Sequence, residues 1–306
     1  MSGIATGFST IGLVIAAGWL AQRVGIVPPA AREMLIRLAF FVAAPALLLN
    51  VVADADLGAL LQLPLLVQAV ATAGAAVVFL VVNRLWLRLR PPETVVGVYG
   101  SSYINAANIG IPVSVYVLGD AAASVPVILL QVLILGPLAL CLLDLLTAGR
   151  PSWWLLLTQP VRNPIILASA VGAVLAATGW QLPAVVDSPL RLLGGAAIPM
   201  QLLAFGMSLH GLRLFGPGSA RAAAVVAAAI KVVLMPVLAF VVARFVLRAP
   251  DGLVFSSVVL AGLPVAQNVY SYSARFGRGD DLARDVILLS TLAAPATLVV
   301  AAALLQ

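Results

Sequence analysis

The stretch Asn105-Ala106-Ala107-Asn108-Ile109-Gly110-Ile111-Pro112 sets two amides, a glycine and a proline inside a long apolar run. Amide side chains both donate and accept hydrogen bonds. Pro112 has no N–H, and its ring clashes with the carbonyl four residues back. Gly110 adds backbone freedom. The spacing predicts a helix that breaks at 109–112 and restarts with proline in its first turn. Gly262, Pro264, Gln267 and Asn268 repeat the pattern late in the chain. In lipid such a break is tolerated only where it is packed in protein or lines a cavity. A restarted helix offers free N–H groups and partial positive charge. That chemistry suits a carboxylate.

Lys231 is the chain's only lysine and lies in "AAAIKVVLMPVLAF". A charge at the middle of an apolar span is costly and marks function by default. It could neutralise an anionic ligand, alternate protonation, stand in for a cation, or cap carbonyls that a broken helix exposes. Asn50, five residues after Pro45, could face the same site or pack helices. Tyr103, Tyr116 and Tyr270 read as packing or pocket lining. His210 and the acids Asp54, Asp56, Asp120 and Asp187 read as solvated, and the run 278–285 ("RGDDLARD") as a charged turn. With one histidine and one cysteine, Cys141, no metal-ligand cluster or internal disulfide is expected. No phosphate-binding loop of the Gly-Lys-Ser/Thr type occurs. No catalytic constellation remains, so an enzyme is not expected.

The elements that position these residues follow from composition. The chain is 63% hydrophobic and 9% charged over 306 residues, with mean hydropathy +1.14. Soluble domains run near a quarter charged, so lipid must be the solvent. Ten apolar segments emerge, at 4–22, 33–53, 62–83, 94–118, 122–144, 163–180, 189–210, 220–245, 252–274 and 284–304. Runs of about twenty residues suit helices, where a barrel would alternate over about ten. The first run has no basic residue before it and reads as a retained span. Trp153 and Trp154 suit a membrane interface. Alternate loops carry thirteen arginines on one side and three on the other. That bias places both termini on the non-cytoplasmic side of a plasma (bacterial inner) membrane. The net charge of +6 therefore reflects helix ends, not nucleic-acid binding.

Internal spacing suggests duplication. Pro45 and Pro199 stand 154 apart, Pro112 and Pro264 152 apart, and Pro64 and Pro217 153 apart. Residues 1–150 and 151–306 would then form two five-span repeats. Five is odd, so the second must be inverted, as in secondary transporters.

"AANIGIPVSVYVLGD" (106–120), "AIPMQLLAFGMSL" (197–209), "IKVVLMPVLAF" (230–240) and "AGLPVAQNVYSYSARFG" (261–277) resemble segments of the auxin efflux carrier family in its bacterial branch, which includes malate and malonate permeases. The resemblance implies an all-α polytopic fold of ten spans, similar to bile acid sodium symporters. Spans 1, 2, 6 and 7 would form a scaffold that often dimerises. Spans 3–5 and 8–10 would form a moving domain in which spans 4 and 9 cross at Pro112 and Pro264. Asn108 matches an asparagine that plant carriers place at the substrate carboxylate. The expectation is an elevator-type carrier of small organic anions and a homodimer in lipid. Its substrate would be held by Asn105, Asn108, Gly110, Pro112, Lys231, Gly262, Pro264, Gln267, Asn268 and Asn50. No cofactor is expected, and coupling to a proton or to sodium stays open. The rival readings are a sodium-coupled uptake carrier of the bile acid type and an anion channel.

Overall fold

A chain solvated by lipid must satisfy its backbone within each segment, and helices do so locally. The computed structural model describes residues 2–28, 30–55, 63–148, 164–210, 215 and 220–305, and the regular elements among them are helices. In chain order they are α1 (Ser2–Val24), α2 (Ala31–Ala53), α3 (Leu63–Leu87), α4 (Pro91–Ser102), α5 (Ala106–Leu118) and α6 (Val125–Thr147). There follow α7 (Pro164–Thr178), α8 (Ala184–Met207), α9 (Arg221–Val246), α10 (Asp251–Ala261), α11 (Asn268–Phe276) and α12 (Asp280–Leu305). Six of them, α2, α3, α6, α8, α9 and α12, are long and apolar enough to cross a membrane. Ser9–Val24 of α1, with α5, α7 and α10, are shorter apolar helices.

Four of the prolines inside these helices share one device. Pro45, Pro112, Pro137 and Pro236 each stand two residues after a widened, i→i+5 turn, at Ala39–Ala43, Ala106–Gly110, Gln131–Leu135 and Ile230–Leu234. The extra residue moves the carbonyl four back away from the proline ring, so the helix continues where a plain α-turn would clash. This corrects the predicted break at 109–112. Gly110 has ordinary helical angles (φ −62°, ψ −44°) and Pro112 lies inside α5. The interruption falls earlier, at Tyr103–Asn105 between α4 and α5.

The chain falls into two compact units, each drawn from both halves of the sequence. The first holds α1, α2, α7, α8 and residues 107–126; the second holds α3, α4, residues 103–106, α6 from Val127 onward, and α9 to α12. In the first unit, a Cβ added at Gly18 would land on the Leu203 carbonyl, and one at Gly206 on the Ile15 carbonyl. The α1 and α8 backbones therefore touch, which only small residues allow. In the second unit, Val233, Val237, Val300 and Leu304 are exposed around an apolar groove of about 520 Å³. Such a surface suits lipid.

Two further expectations change. Residues 280–285 are the start of α12, with Asp280 and Asp281 in its first turn, where acids favour the helix dipole. Asp285 is fully buried and pairs with Arg284. Asp187 belongs to the first turn of α8. The Trp153–Trp154 pair, Asp56, Pro217 and the 150/151 boundary lie outside the described residues.

Candidate functional site

In the second unit, α10 ends at Ala261 and helix resumes at Asn268. Where the backbone groups of this gap go can be followed one by one. Gly262 donates to the Val258 carbonyl at 2.9 Å and Leu263 to Leu260 at 3.3 Å. Pro264 has no N–H to donate. The Val265 N–H would reach Ala261 in a continuous helix, but it donates instead to Ser290 Oγ at 3.1 Å. The Ala261 carbonyl, left without that partner, accepts from Lys231 Nζ at 2.6 Å. Lys231 is 0% exposed and sits in the widened turn before Pro236. The hydroxyl of Thr297 donates to the Val232 carbonyl of the same turn at 3.0 Å.

The gap between α4 and α5 is closed in the same way. Ile104 and Val265 form a lone antiparallel bridge. The Asn105 N–H donates to the Pro264 carbonyl at 2.8 Å. The Ile104 carbonyl accepts from Gln131 Nε2 at 2.8 Å and from the Ala106 N–H at 2.8 Å. Each buried polar group left unmet would cost about 1–3 kcal/mol. Three side chains, Ser290, Lys231 and Gln131, thus pin the two interruptions, and the Asn105 N–H to Pro264 carbonyl bond joins them.

A phenol cluster lies beside the join. The Tyr103 and Tyr272 rings meet edge to face at 6.2 Å, with hydroxyls 3.5 Å apart. Asn268 hydrogen-bonds with both tyrosines, and its residue surface is exposed. The Tyr99 hydroxyl donates to the Leu135 carbonyl at 2.7 Å. A Cβ at Gly136 would stand 2.9 Å from the Tyr272 hydroxyl, so this glycine makes room for the ring. An amide, two phenols and the positive end of α11 form a donor-rich group. Among the described residues there is no group of acids, histidines or cysteines able to hold a metal ion.

Of the residues singled out from sequence, Asn105, Lys231, Gly262, Pro264 and Asn268 come together here, with Gln267 half-buried next to them. Asn108, Gly110 and Pro112 lie on α5 and Asn50 on α2, in the first unit. Asn50 is buried and borders two cavities of about 620 and 360 Å³, both also lined by Asp54 and Arg191. Arg191 pairs with Asp187 at 2.8 Å and Asp54 at 3.2 Å, so these acids are ion-paired and not merely solvated. Tyr103 is buried, whereas Tyr116 and Tyr270 are exposed. Gln131, Ser290, Tyr272 and Gln68, whose Nε2 donates to the Ser257 carbonyl at 2.9 Å, are not among the residues singled out from sequence. The two glutamines did carry a signal, as isolated amides in the middle of apolar spans; a lone serine or tyrosine carries none.

No curated protein matches the chain. A family model described as membrane transport protein matches residues 8–147 and 150–301. With nearly the whole length matched, the chain belongs to the Mem_trans membrane transport protein family, that of the auxin efflux carriers.

Proposed function

We propose that this multi-pass membrane transporter is a secondary carrier of small organic anions, carboxylates such as malate, malonate or auxin-like acids. The observation that carries the reading is the buried join of Ile104 with Val265, three residues before Asn268 at the start of α11. Irregular backbone at membrane depth belongs where protein covers it or a cavity needs it. A substrate carboxylate would take its hydrogen bonds from Asn268, the Tyr103–Tyr272 pair and the α11 N-terminus. Discontinuous helices of this kind bind anions at their N-terminal ends in secondary transporters. The proposal includes ten spans in two inverted repeats, termini on the non-cytoplasmic side, and an elevator motion of the second unit. Two separately compact units, each mixing both sequence halves, support it.

Uptake of labelled malate, malonate and an auxin-like acid into proteoliposomes tests the reading. Saturable uptake and counterflow are expected. Asn268→Ala and Pro264→Ala should each lower kcat/KM by about tenfold or more, while Asn108→Ala and Asn50→Ala test the amides of the first unit. Flux that neither saturates nor shows counterflow would identify a channel instead.

A further inference from the structure

We infer that the Lys231 ammonium is a tethered counter-cation for the C-terminal end of α10, and that transport therefore requires no alkali cation at this interruption. The inference deepens the carrier reading and rests on it. A helix C-terminus carries partial negative charge. In transporters with broken helices, unwound carbonyls and half-helix C-terminal ends are where sodium is held. Here the terminal carbonyl, Ala261, has lost its helical donor because the Val265 N–H is engaged by Ser290. The ammonium occupies that place at 2.6 Å, a charge-assisted distance. No carboxylate pairs with Lys231 among the described residues, and the side chain is 0% exposed. Its charge is thus met by the helix end. A free cation at the same carbonyl would have to share its space with a fixed one, so the lysine excludes it.

Lys231 is then a positioning residue and does not touch substrate. It fixes the path from Gly262 to Gln267 and, through it, the start of α11 at Asn268. Its removal should open a cation site of the same size.

The test measures thermal stability of purified protein in choline, sodium, lithium and methylammonium chloride, with uptake measured in parallel. Wild type should melt within about 1 °C in all four and transport equally in choline and sodium. Lys231→Ala should melt lower, with a KM raised about tenfold. Sodium, lithium or methylammonium should recover both saturably. Lys231→Met, which fills the space without charge, should melt lower and recover nothing. Purifying Lys231→Ala in methylammonium throughout covers the case in which it needs a cation to fold. Sodium stabilisation of wild type, a Lys231→Ala variant equal to wild type, or one that no cation restores or renders foldable, would each overturn the inference. Absence of transport by any form would refute the carrier reading alone, because the melting comparison still decides the cation question.

Discussion

Ser290→Ala removes the hydrogen bond that sets the geometry of the join. Ser290 Oγ accepts from the Val265 N–H at 3.1 Å, and both residues are 0% exposed. Alanine leaves that N–H without a partner, in a segment whose next helical acceptor, the Ala261 carbonyl, is already taken by Lys231. The expected cost is the desolvation penalty of one buried backbone donor, about 1–3 kcal/mol. Ser114 and Ser124 provide the comparison. Both are 0% exposed, and neither hydroxyl has a hydrogen-bond partner. Removing a buried hydroxyl that bonds nothing deletes a polar penalty, so Ser114→Ala and Ser124→Ala should be neutral within about 0.5 kcal/mol or slightly stabilising. The assay is reversible denaturation in mixed micelles of all three variants. The chemical change and the burial are the same in each, so the difference reads the two hydrogen bonds of Ser290 Oγ, the one it accepts from Val265 and the one it donates to the Ile287 carbonyl at 3.1 Å. Ser290→Ala falling within about 0.5 kcal/mol of the two controls would refute the reasoning.

Three other outcomes follow from the same geometry. Gly206→Ala should cost about 1–3 kcal/mol, because its Cβ meets the Ile15 carbonyl and backbone cannot swing aside as a side chain would; thermal melting checks it. Gln131→Leu should cost about 1 kcal/mol, less than Ser290→Ala, since the Ile104 carbonyl keeps the Ala106 N–H; the same titration ranks the two. Asp54→Asn should change stability by less than about 1 kcal/mol, because its pair with Arg191 is exposed and Arg191 keeps Asp187. A loss larger than that would mean the cavity beside Asn50 depends on the pair.

The apolar runs were legible because lipid demands continuous hydrophobicity, and the helices fall close to the predicted segments. The second interruption was legible too: Gly262 and Pro264 stand in the gap that the sequence places there. The first was misplaced, for a reason that local chemistry could not supply. Pro112 looks like a breaker, yet the widened turn at Ala106–Gly110 absorbs it. The actual gap at Tyr103–Asn105 contains no helix breaker at all. It opens because Asn105 and Ile104 find partners at Pro264 and Val265, some 160 residues away, and a tertiary pairing of that kind leaves no mark in the local sequence. Lys231 was visible as an anomaly, but its role depended on knowing that the Ala261 carbonyl had lost its donor to Ser290.

Counterflow tests an anion site at the joined interruptions most directly. Proteoliposomes loaded with unlabelled malate or malonate should accumulate the labelled acid transiently, at a rate that saturates with outside concentration, and Asn268→Ala vesicles should do so at about a tenth of that rate or less. Linear uptake without accumulation, or uptake by Asn268→Ala vesicles equal to wild type, would contradict an anion site at the joined interruptions.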